Sequence, residues 1–310
     1  MQHVLVIGAS GTQGRAQVGA LLEAGYAVSA LSRAASGLCF PAAVGKIQGD
    51  LLEPASVSAA LAQVDTVFLN LPSASFNPPE EIVESCDNFI VAARQSGLQR
   101  VVFNASLYVD DQPTGHVAHD NRFEIIQSLL ACDIAVTAVC PVIFMENLLQ
   151  DWTLPQLLRQ RRLSYPHADT LPVSWISLKD LARIMIRLAE SASAIGRKLV
   201  VGGPEALRGR DTAVALGRAW AQDIQFESRS IGEFARAMAG LFAPGNTVTQ
   251  QRIQRDLRSV YNWYNERRPS PFTVDMSDFL AEYPMTLTTI DDWARDNNPF
   301  PTDTAGVANA

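Results

Sequence analysis

With 310 residues, 25 basic and 32 acidic, the chain carries a formal charge of -7, so no basic face advertises a nucleic-acid or anionic-membrane partner. Its 47% hydrophobic content suffices for one large core with an appended lobe. No apolar run is long enough to span a bilayer, and the first residues enter a strand directly rather than a signal peptide, so a cytoplasmic location is expected. Four scattered cysteines, Cys39, Cys86, Cys132 and Cys140, lack CxxC spacing and predict neither a disulfide framework nor a zinc site.

Taken in chain order, short apolar strands alternate with helical patterns through the first half. The strands fall at 4–7, 27–31, 44–48, 66–70, 101–104 and 135–139, and the helices between them at 13–23, 55–62, 79–95 and 122–131. Few polar residues interrupt these strands, as expected where helices cover both faces of a sheet. The fold class is therefore α/β: a Rossmann-type doubly wound parallel sheet over residues 1–150, followed at 151–298 by a smaller mixed α/β lobe with some exchange of chain between the two. The second lobe reads as a helix near 154–160, the segment LPVSWISLKDLARIMIRLAES, the strand RKLVVGG and a mostly helical remainder from Arg210. Residues 299–310 read as a flexible tail.

The first strand runs into glycine in HVLVIGASGTQGR, residues 3–15. Gly8, Gly11 and Gly14 give GxxGxxG spacing: a glycine ending the strand, one in a tight turn, and one in the first helical turn, where a missing side chain lets helix and strand approach. A helix N-terminus placed there aims its free N–H groups at an anion, and its position in the first βαβ unit is the context that a dinucleotide fingerprint demands. The second strand ends in ALSRAAS. Where an acidic residue would favour NAD, the chain offers Ser32, Arg33 and Ser36, a guanidinium flanked by hydroxyls, which favours NADP(H) over NAD(H) by charge-assisted bonding to a 2′-phosphate.

VIGASGTQGR, the arginine after the second strand, GDLLEPASVSAAL, VVFNASLYV, FMENLL, SWISLKDLAR and YPMTLTTIDDWARDN together resemble the NmrA-like family, atypical members of the short-chain dehydrogenase/reductase superfamily. The likeness runs from residue 3 to about residue 298. It implies that Gly8, Ser10, Gly11, Thr12, Gln13 and Gly14 wrap the pyrophosphate, that Arg33 grips the 2′-phosphate, and that Asp50 and Leu51 border the adenine. It further implies that Leu71, Pro72, Ala105 and Ser106 line the path to the nicotinamide, and that residues 141–144, with Pro141 and Phe144, close that path from the other side. The family divides between reductases of quinones or activated double bonds and redox sensors that bind the dinucleotide and regulate a partner protein. The partner expected is accordingly a small-molecule acceptor or a regulated protein.

The usual superfamily mechanism needs a tyrosine as proton donor with a lysine four residues later. Lys46, Lys179 and Lys198 are the only lysines, and none of the six tyrosines forms a YxxxK pair with one. Many reductases of the family instead carry a lysine or histidine at the start of the helix before CDIAVTAVCP. The matching position here is Arg122, which binds phosphate, ribose or an oxyanion but is a poor general acid. His119 and Ser106 complete the set of catalytic candidates, His119 on grounds of its ordinary pKa. His116 and His119 stand three apart without a third ligand, so no metal site is expected. Trp175 reads as packing the second lobe against the first, and Phe144, Trp152 and Trp263 as core or as an apolar substrate wall. RIQRDLRSVYNWYNERR reads as an amphipathic helix with a solvated face. The balance favours an NADPH-dependent reductase lacking the tyrosine–lysine dyad, with the non-catalytic sensor as the alternative.

Overall fold

A computed structural model describes residues 2–34 and 39–300. Its strands are β1 (His3–Ile7), β2 (Ala27–Ser32), β3 (Gly45–Gln48), β4 (Thr66–Asn70), β5 (Arg100–Asn104), β6 (Val136–Pro141), β7 (Arg162–Tyr165), β8 (Lys198–Val201) and β9 (Gln225–Ser228). The helices are α1 (Thr12–Glu23), α2 (Pro54–Leu61), α3 (Pro79–Ser96), α4 (Val117–Leu130), α5 (Leu154–Gln160), α6 (Leu178–Ala189), α7 (Gly209–Trp220), α8 (Ile231–Phe242), α9 (Thr247–Glu266), α10 (Ser277–Glu282) and α11 (Ile290–Asp296).

The strands that read as continuous apolar runs are the ones buried on both faces. Leu5, Ile7, Val67, Leu69, Val101 and Phe103 face one core, built with α2, α3 and α4. Their neighbours Val4, Val6, Phe68, Val102 and Val139 face the other, built with α1 and α6. The resulting seven-stranded parallel sheet has the order β3-β2-β1-β4-β5-β6-β8, a Rossmann-like α/β arrangement. Strand order reverses between β1 and β4, where Val4 aligns with Thr66 and Ile7 with Leu69, and a crevice opens at the carboxyl ends of such a switch point.

The second half of the chain contributes to this sheet as well as building its own layer. β8 pairs with β6 through Ala138–Lys198 to Pro141–Val201, and α6 lies against α1. The small parallel pair β7-β9 and helices α5, α7, α9 and α11 enclose a third core around Trp175, Trp220, Phe272 and Trp293. A fourth core, formed by α8 and α9 around Phe234, Met238 and Ile253, packs against Phe76 and Trp152. Among the described residues no helix is long and apolar enough to cross a membrane.

In the first half of the chain, two boundaries differ from the sequence reading by more than one residue. β6 extends to Pro141 rather than stopping at 139, because its partner β8 continues the ladder to Val201. α4 begins at Val117 rather than at 122. The Asp120 carboxylate reaches back to accept the backbone N–H groups of Thr114 at 2.7 Å and Gly115 at 3.0 Å, which fixes the chain entering the helix a full turn earlier.

Candidate functional site

Gly8 leaves β1 with φ +75°, a conformation that a side chain would strain. A Cβ there would stand 3.2 Å from the backbone oxygen of Asn70. The N–H of Gly11 then bonds back to the Gly8 carbonyl at 3.2 Å, closing the turn, and Gly11 becomes the N-cap of α1 without any side-chain capping bond. The first amides of α1 are therefore left for a ligand. At Gly14 a Cβ would lie 2.4 Å from the Gly8 oxygen and 2.6 Å from the Ala9 Cα, so the helix sits against the turn at a distance that only glycine permits. A Cβ at Gly11 would meet nothing closer than 3.5 Å. A turn of this geometry, with helix amides at its mouth, can hold a phosphate group.

Around the turn runs a cavity of about 600 Å³. Its wall brings together most of the predicted binding residues: Gly8, Ser10, Gly11, Thr12, Gln13, Gly14, Arg33, Asp50, Leu51, Leu71, Pro72 and Ser106. Arg33 is exposed at the end of β2, and Asp50 follows β3 on the same flank, its Oδ1 accepting the Leu52 N–H at 3.1 Å. Ser36 lies outside the described residues. Four predicted residues stand off the wall. Ala105 is buried one residue behind Ser106, and Pro141 ends β6 opposite Val201. Phe144 is bridged to Ile176 and packed into the core with α1 and α6.

The fourth is Arg122, which faces the interior and is 1% exposed. Its guanidinium donates to the carbonyls of Leu71 at 2.8 Å, Pro72 at 2.5 Å and Ala105 at 3.0 Å. It thus ties the end of β4 to the end of β5 from beneath the cavity. His119 is also buried, with Nε2 2.5 Å from the Tyr264 hydroxyl, and burial pushes its pKa down to about 4. It is neutral at physiological pH and turned toward α9, away from the cavity wall. Ser106 does line the cavity, in a left-handed conformation (φ +64°) held by the bond from its N–H to Asn104 Oδ1 at 2.9 Å. Tyr108 is half-buried, and burial together with the nearby Asp110 carboxylate raises its pKa. Among the described residues of the wall, the ionisable side chains are Arg33, Asp50 and Glu81.

Sequence reasoning missed the polar layer under the turn. Asn104 Nδ2 donates to Gln13 Oε1 at 2.6 Å and to Asn70 Oδ1 at 2.9 Å, while Asn70 Nδ2 donates to the Ile7 carbonyl at 2.8 Å and Gln17 Oε1 at 2.7 Å. These amides lock the ends of β1, β4 and β5 to the first turn of α1. The signal was present in the two apolar strands TVFLN and RVVFN, which both end in asparagine. Phe242, from α8, was also missed. It stacks on Phe76 with centroids 4.0 Å apart and planes 17° apart, and both rings line the cavity.

A family model described as the NmrA-like family matches residues 1–294. The chain belongs to the NmrA-like family. Among its relatives is the NAD(P)H azoreductase of Xenophilus azovorans, 30% identical over 246 residues, which are 78% of this chain and 82% of that one. The NADPH-dependent quinone oxidoreductase of Escherichia coli, solved with NADPH, superposes with a TM-score of 0.72 at 18% identity, covering 95% of this chain and 99% of that one. The negative transcriptional regulator NmrA, solved with NAD, gives a TM-score of 0.73 at 15% identity, covering 96% of this chain and 95% of the regulator. At these identities the two structural matches establish the shared fold.

Proposed function

We propose that this NmrA-like protein is an NADPH-dependent reductase of a quinone or another activated double bond. The observation that carries the reading is the phosphate cradle of Gly8, Gly11 and Gly14, set in a cavity that spans the β1/β4 switch point with Arg33 on one flank. The amides that open α1 would hold the pyrophosphate, Arg33 the 2′-phosphate, and Asp50 with Leu51 the adenosine side. The bound dinucleotide supplies a hydride. The reductases among its relatives, including one that acts on azo compounds, support the same class.

The chain's own part in the reaction is to hold the two reactants in register. Ser106 presents a hydroxyl at the β5 end of the cavity wall. His119, neutral and bonded to Tyr264, and Arg122, bonded to three carbonyls, are both poorly arranged to deliver a proton. That arrangement suits acceptors whose reduced form takes its proton from water, such as quinones and azo compounds, where alignment alone contributes most of the rate enhancement. Calorimetric titration with NADPH and NADH, followed by NADPH oxidation with a panel of quinones and azo dyes, tests the reading. Tight binding of NADPH with turnover is the expected result. Tight binding without turnover of any acceptor would replace the reductase by the sensor, and no binding at all would remove both.

A further inference from the structure

Arg122 is a cation sealed beneath the crevice without an anion to neutralise it. Besides the three strand-end carbonyls, it meets Asn121 Oδ1 at 3.4 Å and the face of the Phe103 ring at 5.9 Å, both uncharged, and among the described residues no carboxylate lies within ion-pair distance. The titratable groups that act on it are the thiols of Cys86 and Cys140, which burial pushes up to about 12 and so keeps neutral. Desolvation lowers the guanidinium itself only to about 10, so it stays charged at neutral pH. Carbonyl dipoles offset part of the penalty of burying a charge but leave its field in place.

Strand order determines which half of a dinucleotide meets that field. Arg33 after β2 and Asp50 after β3 take the adenosine half, so the other half extends past the glycine turn toward the ends of β4 and β5. There the wall is Leu71, Pro72 and Ser106, and the first two are held by Arg122 itself. Resting on the reductase reading above, we propose that Arg122 makes the crevice sense the redox state of its dinucleotide, holding NADPH more tightly than NADP⁺. NADPH carries a neutral dihydropyridine ring, whereas the ring of NADP⁺ is a pyridinium cation, and a fixed positive charge disfavours only the second. Arg33 meets the same 2′-phosphate in both forms and cancels from the ratio. Glu81 is exposed and screened by solvent, whereas Arg122 is not. The site then releases the oxidised form preferentially after each turnover.

The test is the ratio of the two dissociation constants, measured by calorimetry on the full chain. The preference expected in the unaltered protein is on the order of tenfold, the effect of one unit charge acting through protein over about 10 Å. It falls toward one in Arg122→Met and persists in Arg122→Lys. Arg100 provides the control: it is also buried and bonded to the carbonyls of Ala135 and Leu188, but at the opposite end of β5. Arg100→Met leaves the ratio unchanged. A bracket that acted only by bracing the strands would weaken both forms alike, so an unchanged ratio in Arg122→Met overturns the proposal. If that variant does not fold, the unaltered protein decides. A preference that survives high salt supports a buried charge, and one that is absent or disappears with salt overturns it. Failure to bind either form removes the reductase reading along with this inference, whereas equal affinity for both forms removes this inference alone.

Discussion

Gly14 and Gly11 lie three residues apart in one turn, and the structure assigns them opposite sensitivities to a single added methyl group. A Cβ at Gly14 would sit 2.4 Å from the Gly8 oxygen, 2.6 Å from the Ala9 Cα and 2.9 Å from the Gly8 carbonyl carbon. Carbon–carbon contacts settle near 3.5–4.0 Å, all three obstructing atoms are backbone, and the positive φ of Gly8 leaves the turn no cheap way to swing aside. Helix α1 must therefore move off β1 by about 1 Å, an overpacking strain of about 1–3 kcal/mol. The better helix propensity of alanine returns about 0.5–1 kcal/mol. A net loss of roughly 1–2 kcal/mol lowers Tm by about 1.5–3 °C in a chain of this size. At Gly11 the same methyl meets only the Gly8 oxygen at 3.5 Å, an ordinary contact, at φ -74°, which any residue adopts. Gly11→Ala is expected to keep the unaltered Tm while weakening NADPH binding, because the methyl occupies the phosphate's side of the turn. Differential scanning calorimetry and titration calorimetry on both variants measure the pair. A Gly14→Ala protein with unaltered Tm, or a Gly11→Ala protein that melts earlier than Gly14→Ala, would refute the account of this turn.

Other predictions follow from the same geometry. Arg33→Ala should remove most of the preference for NADPH over NADH, a charge-assisted contact of about 1.5–3 kcal/mol; equal affinities before the change would show that Arg33 reads nothing. Tyr108→Phe should alter turnover by far less than the roughly 100-fold or greater loss that follows removal of a general acid, and a loss of that size would restore the tyrosine as proton donor. The histidines make stability depend on pH. His119 and His167 are both held below their ordinary value of 6.5 by burial, to about 4 and about 3, so the unfolded chain binds their protons first. Their contribution is intact above pH 6.5 and declines as pH falls toward the folded values, by about 2 kcal/mol each at pH 5. Urea midpoints at pH 7.5 and pH 5 should differ less in His167→Gln than in the unaltered protein, and an identical pH dependence would discount that burial.

The first sheet was readable because each of its inner strands is covered on both faces and so becomes a short unbroken apolar run. The glycine turn was readable because its spacing encodes a steric requirement rather than a preference. β7 and β9 escaped notice: four residues each, they have too little length for an alternation to register, and they pair only because α5 and α7 bring them together. The start of α4 escaped because its N-cap is His116, a poor cap, and the Asp120 carboxylate that fixes the turn lies inside the helix. That error in phase hid the direction of Arg122. With the helix beginning at Val117, His119, Arg122, Ile125, Ile126 and Leu129 form one buried stripe, and the i, i+3, i+4 spacing of those last four residues was there to be read. The contact between Phe76 and Phe242 joins two lobes, and no local pattern reports such a pairing.

The placement of β8 has a consequence for synthesis from the N-terminus. When the chain has emerged to residue 150, six strands of the large sheet exist, but the strand that will close the β6 edge and the helix that will cover Val4, Val6, Phe68 and Val102 do not. The nascent half therefore presents an open row of backbone donors and acceptors beside an apolar face that α1 covers only in part, two features that invite pairing with another chain. Only once α6 and β8 have been made does the first half acquire its finished surface. The crevice between β1 and β4 is thus completed by sequence far downstream of every residue in its phosphate cradle.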